Sequence, residues 1–68
     1  MKEELFRTPM SVRWCSADVP DGGGVELIDR DGYPIAFAET RQHTWRSSQQ
    51  GRQFLYLAKL INIAAELP

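Results

Sequence analysis

Apolar and polar residues alternate in two stretches of the first half of the chain. In "MSVRWC", residues 10–15, the side chains of Met10, Val12 and Trp14 fall on one side, which is the period of a half-buried strand. The stretch "VELIDRDGYPIAFA", residues 25–38, has the pattern of two more strands joined by a hairpin turn at residues 29–32. Together these patterns predict a small antiparallel sheet of two or three strands within residues 10–39.

The residues of the hairpin turn predict a register. Asp29 at the start and Gly32 in the left-handed position suit a type I turn, which gives a three-residue loop with a bulge. The predicted pairs are Asp29 with Tyr33, Leu27 with Ile35, and Val25 with Phe37. A two-residue Asp-Gly turn would instead set Glu26 beside Phe37 and split the apolar set, so the first register is preferred.

The pattern changes to a helical period in "RSSQQGRQFLYLAKLINIAAEL", residues 46–67. Ser47 followed three residues later by Gln50 matches a capping box, and a helix is predicted over residues 48–66. The face predicted to cover the sheet consists of Phe54, Leu57, Ile61, Ala64 and Ala65. The fold class is therefore α+β, with the sheet packed on one long C-terminal helix.

Apolar residues remain on the helix after one face is assigned to the sheet. One flank and one stripe of small residues are left over, and they comprise Tyr56, Leu60, Ile63 and Leu67, with Gly51 and Ala58. A chain of 68 residues is near the lower size at which a single core folds unaided. The sequence therefore predicts a homodimer joined through the helices, with these residues at the interface. The alternative is that strand 1 or the N-terminal residues cover the flank within one chain.

The remaining segments predict one domain with simple connections. Residues 1–9 are expected to be a flexible lead-in, "SADVPDGGG" at residues 16–24 a mobile loop, and residues 40–47 a basic connection. The single Cys15 rules out an internal disulfide and fits a reducing cytoplasm. No stretch is apolar enough for a membrane span, and "MKEELFRTP" lacks the apolar core of a secretion signal.

Charge is distributed unevenly along the chain, although its formal net value is only −1. Residues 1–39 carry eight acidic and four basic side chains, whereas residues 40–65 carry four basic side chains and no acidic one. Such asymmetry can steer a charged partner, but it also occurs where charges simply solvate the surface.

No pattern of catalytic or metal-binding residues is present. His43 has no poised nucleophile nearby in a recognised motif, and one histidine with Cys15 cannot supply the usual ligands of a structural zinc. "DGGG" leads into a strand without the Lys-Ser or Lys-Thr step of a phosphate loop. We therefore expect a protein that is not an enzyme and that has no metal and no cofactor.

Trp45 and its neighbouring arginines allow three interpretations. In order of preference, the indole packs against the sheet, contacts a protein partner together with Arg46, or stacks on nucleic-acid bases. The sequence pI near 5.7 weighs against strong phosphate binding.

The hairpin "VELIDRDGYPIAFAE", the basic connection and the helix "GRQFLYLAKLINIA" together resemble small early proteins of temperate phages. Within those proteins they look most like the anti-activators of quorum sensing from Pseudomonas phages, over about residues 25–65. The resemblance implies a small dimer in the cytoplasm of a bacterial host. It also implies that the dimer binds a LuxR-type transcription activator and occludes its DNA-binding domain, and that a pilus-assembly ATPase is a second partner.

An acidic hairpin is compatible with such a partner, since a DNA-binding domain presents a basic surface. The candidate partner-binding residues are Glu26, Asp29, Asp31, Tyr33, Trp45 and Arg46. A nucleic-acid-binding regulator and an inhibitor of another host system such as CRISPR remain the alternatives, with a small enzyme a distant third class.

Overall fold

A computed structural model describes residues 6–17 and 22–67 of the chain. Three strands, β1 (Ser11–Ser16), β2 (Gly23–Ile28) and β3 (Pro34–Glu39), precede one helix, α1 (Gln49–Ala65). The strands form an antiparallel sheet in the order β1-β2-β3. The protein is an α+β fold, as predicted. The centre of the glycine-rich connection, residues 18–21, and the first five residues of the lead-in lie outside the described residues.

The turn between β2 and β3 has the predicted geometry. The amide of Gly32 donates to the carbonyl of Asp29 at 3.0 Å, and Gly32 has a φ of 81°, a conformation that glycine adopts without strain. The amide of Asp29 donates to the carbonyl of Tyr33 at 3.0 Å, so these two residues face each other.

The register beyond the turn differs from the prediction. Ile28 pairs with Pro34, but Leu27 pairs with Ala36, so Ile35 is an extra residue on β3. The bulge shifts the rest of the ladder by one position and places Phe37 opposite Glu26. The predicted pairs of Leu27 with Ile35 and of Val25 with Phe37 are therefore wrong. The turn fixes only the residues next to it, and a bulge further along cannot be identified from the turn.

The core is small and lies between the sheet and the helix. Met10, Leu27 and Ala58 are buried in it, and four partly buried residues pack against them, namely Val12, Ala36, Phe54 and Ile61. Val12, Leu27 and Ala36 therefore mark the inner face of the sheet. Because side chains alternate along strands, Arg13, Glu26 and Phe37 lie on the outer face.

The helix begins one residue later than the predicted cap implies. Ser48 is the N-cap, and its hydroxyl accepts a hydrogen bond from the amide of Gly51 at 3.0 Å. Ser47 is not the cap, because its hydroxyl donates to the carbonyl of Thr44 instead. Phe54 and Ile61 face the sheet as predicted. Leu57 and Ala64 are exposed and lie off that face, so their assignment to it is wrong. Ala65 lies on the same side as Ala58 but is exposed at the end of the helix.

Arg7, in the described part of the predicted lead-in, contacts the hairpin turn. The carbonyl of Arg7 accepts from the amide of Arg30 at 2.7 Å, and the Arg7 guanidinium contacts the Asp31 carboxylate at 2.6 Å. Residues 6–9 therefore lie against the hairpin turn.

Candidate protein-binding surfaces

Asp29 has a structural role rather than the predicted contact role. Its side chain is buried, and one carboxylate oxygen accepts from the amides of Asp31 and Tyr33, each at 2.9 Å. These bonds fix the turn in the way that an aspartate side chain often does, by satisfying backbone amides close in sequence. Asp29 is therefore buried in the turn and offers little exposed surface to a partner.

The other two acidic candidates form ion pairs within the chain. Glu26 accepts from Arg13 across the outer face of the sheet at 3.0 Å, and only 13% of its side chain is exposed. Asp31 accepts from Arg7 at 2.6 Å and lies 3.9 Å from the guanidinium of Arg30. A hairpin whose carboxylates are already paired presents little net negative charge to a partner.

Three large apolar side chains in the edge strand β3, or next to its start, are exposed. Tyr33, Ile35 and Phe37 are 66%, 43% and 53% exposed, and we refer to them as the β3 edge. Phe37 crosses the outer face next to Gly24, where an added Cβ would lie 2.7 Å from the phenyl ring. The bulge at Ile35 produces this arrangement, because it turns the small residues Ala36 and Ala38 toward Leu27 and Val25.

Trp45 is buried, which favours packing within the molecule over the two interpretations that need an exposed indole. The indole is buried, and the guanidinium of Arg46 lies 4.5 Å from the centre of its ring. The burial removes Trp45 from the set of exposed partner-binding residues, while Arg46 stays exposed. Gly51 is packed just as closely, since an added Cβ would overlap the carbonyl oxygen of Trp45.

The residues predicted for the dimer interface fall on two opposite sides of the helix. Ala58 is buried in the core against the chain's own sheet, and Gly51 is buried against the backbone of Trp45, so neither is exposed for an interface between chains. Tyr56, Leu60 and Ile63 lie on the opposite side of the helix, and Leu67 follows two residues after the helix ends, with its amide donating to the carbonyl of Ala64. The four residues are 43% to 61% exposed. We refer to these four residues as the outward stripe.

Asn62 is an important residue that sequence reasoning missed. Its amide oxygen accepts from the backbone amide of Met10 at 2.6 Å, and its amide nitrogen donates to the carbonyl of Met10 at 2.9 Å. The two bonds join the helix to the start of β1 across 52 residues of sequence. The available signal was the single polar residue within "LINIAA", which interrupts an apolar run on the side of the helix that faces the sheet.

The side chains with possible chemistry are dispersed. His43 and Cys15 are both exposed. Among residues 6–17 and 22–67, no group of three His, Cys, Asp or Glu side chains could hold a metal ion. Within the same ranges, no helix combines the length and the apolar character that a membrane span requires.

Comparison with known proteins identifies no relative of this chain. No family model, no curated protein and no solved structure matches the chain.

Proposed function

We propose that this protein is a small regulatory module that acts by binding another protein through the β3 edge. The observation that supports the proposal is the β3 bulge, which leaves Ile35 and Phe37 exposed close to Tyr33, an exposed residue at the end of the turn. Tyrosine and phenylalanine are typical of the centres of protein interfaces. An edge strand also has backbone groups on its open side that a partner strand can use.

The charges around the β3 edge are paired, so they can orient a bound partner but attract a distant one only weakly. Arg13 and Glu26 neutralise each other beside Phe37, and Arg7 and Asp31 do the same beside the turn. A partner would meet an apolar strip with ion pairs at its rim, where charges set register and contribute little affinity. This replaces the acidic hairpin as the proposed basis of binding.

The proposed partner is a LuxR-type transcription activator in the cytoplasm of a bacterial host. Its choice depends on the resemblance of residues 25–65 to phage anti-activators and on no contact within this chain. Occlusion of the activator's DNA-binding domain would prevent DNA binding. The pilus-assembly ATPase that the resemblance implies is the second protein to test.

The first experiment measures binding to a purified LuxR-type DNA-binding domain by calorimetry. The test variant carries Ile35→Thr and Phe37→Thr, which keep strand-forming residues while removing apolar surface. The control variant, Leu55→Gln, removes a side chain of similar exposure from the helix and keeps a good helix former.

We expect the wild type and the control to bind alike and the strand variant to bind about tenfold more weakly or worse, as loss of interface anchors does. Equal binding by the strand variant would exclude the β3 edge as the contact surface. If the wild type binds neither the activator domain nor the ATPase, the proposed partners are wrong. A band shift of DNA by the protein alone would favour the nucleic-acid alternative.

A further inference from the structure

The outward stripe has the spacing of a helix-pairing seam. Tyr56, Leu60, Ile63 and Leu67 are separated by four, three and four residues, which is the spacing of the a and d positions of a heptad. The side of α1 that faces the sheet carries Phe54, Ala58 and Ile61, about half a turn away around the helix axis. One helix therefore has a sheet on one side and an exposed apolar seam on the other.

We propose that the outward stripe pairs with the outward stripe of a second copy of this chain, with the two helices antiparallel. In this arrangement Tyr56 meets the partner's Leu67, and Leu60 meets the partner's Ile63. A two-fold axis repeats both contacts, so all four residues of the stripe are covered by the same four residues. This pairing is independent of the β3 edge, which lies on another element.

Charge on one side of the seam favours the antiparallel orientation. Lys59 precedes Leu60 and Glu66 precedes Leu67, so both lie on the same flank of the stripe. In the antiparallel register Lys59 faces the partner's Glu66, and the symmetry repeats the pair. In a parallel pairing Lys59 would face the partner's Ala64, and neither charge would meet its opposite.

The other flank of the seam is apolar and fits the same register. Leu57 and Ala64 are both exposed there, although they do not face the sheet. The antiparallel arrangement places Leu57 against the partner's Ala64. Their exposure, which contradicted the predicted sheet-facing side, is therefore accounted for by the pairing.

A register shifted by one heptad is less favourable. It would place Gln53 against the partner's Ile63 and Gln49 against the partner's Leu67, so polar amides would oppose apolar side chains. It would also bring Lys59 against the partner's Lys59, although Arg52 would then face the partner's Glu66. We therefore prefer the register in which Leu60 meets the partner's Ile63. It pairs apolar residues with apolar residues and places no like charges opposite each other.

The surface area of the chain is consistent with a missing partner. Its accessible surface is 5329 Å² for a mass of 7.8 kDa. A compact monomer of that mass exposes about 4,400 Å², so the excess is about 900 Å². Each partner in a typical specific interface buries about 800 Å². A second copy is therefore of the right size to cover the excess.

The test is a charge swap measured by sedimentation equilibrium with the full chain alone. Lys59→Glu and Glu66→Lys each place like charges opposite each other at two symmetric sites, so each should raise the dimer dissociation constant about threefold to tenfold. The double variant restores opposite charges and should return to within about twofold of the wild type. Arg52→Glu, the matched control, faces no charge in the proposed register.

A second variant tests the apolar seam. Leu60→Asp should raise the dissociation constant about 100-fold or more, because it places a charge in the centre of the seam, whereas Leu55→Asp, outside the seam, should change it little. Leu60 is exposed in the single chain, so the variant is expected to keep its fold, which far-ultraviolet circular dichroism would check.

Four outcomes would overturn the proposal. A monomer at all concentrations would exclude self-pairing, and a dimer that Leu60→Asp leaves intact would exclude the outward stripe. A double variant no better than the single ones would exclude the antiparallel register. Weakening by Arg52→Glu without weakening by Lys59→Glu would select the shifted register instead. None of these measurements includes the activator, so failure here is distinct from failure of the proposed function.

Discussion

At the scale of single residues, Asn62 has the clearest structural role. Its side-chain amide satisfies both backbone groups of Met10, a residue whose side chain is buried in the core. If a half-buried backbone amide or carbonyl loses its hydrogen-bond partner, the loss of folding free energy exceeds the net contribution of an ordinary hydrogen bond.

Asn62→Ala should therefore lower the free energy of unfolding by about 1–3 kcal/mol, because both groups of Met10 lose their partner. Urea denaturation measures the change. Gln50→Ala, which removes an exposed amide from the same helix, is the control and should change stability by less than about 0.5 kcal/mol. Equal effects of the two changes would contradict the role assigned to Asn62.

At the scale of elements, the start of α1 depends on one of two adjacent serines. Ser48 accepts from the amide of Gly51 and donates to the carbonyl of Trp45 at 2.6 Å, so it joins the helix to the turn that precedes it. Ser47 bonds only the carbonyl of Thr44, at an exposed position.

Ser48→Ala should cost about 1 kcal/mol of stability, as loss of an N-cap usually does, while Ser47→Ala should cost much less. Thermal unfolding of the two variants beside the wild type measures the difference. The predicted capping box, with Ser47 as the cap, requires Ser47→Ala to lower stability more than Ser48→Ala does. That result would contradict the role assigned to Ser48.

At the scale of the whole molecule, the chain is flat and extended. Its dimensions are 47 × 20 × 11 Å, and its radius of gyration is 13.1 Å, compared with about 11 Å for a compact chain of this length. One helix on one sheet gives a single thin core, and the outward stripe is left at the surface. Stability is therefore expected to depend on association.

The thermal midpoint of the wild type should rise with protein concentration, by about 5 °C for each tenfold increase, given the usual unfolding enthalpy of two such chains. Scanning calorimetry over a wide concentration range measures this slope. The slope should vanish in Leu60→Asp. A midpoint that is independent of concentration in the wild type would mean that the folded chain is stable by itself.

The sequence by itself determined the features that depend on neighbouring residues. The alternation of residues 10–15, the turn from Asp29 to Gly32 and the helical period after Ser48 each act over a few residues, and each is present in the structure. Local propensity and turn chemistry are sufficient for such features, since no distant contact is needed to choose between their alternatives.

Only the tertiary structure decided which surfaces those elements present. The bulge at Ile35 reversed the predicted faces of β3, because one extra residue shifts every later pair of the ladder by one position. The contacts of Met10, Ala58 and Asn62 chose the helix face that meets the sheet, and so left the outward stripe exposed. Several faces of an apolar helix can cover a sheet, and the choice among them depends on how side chains distant in sequence fit together.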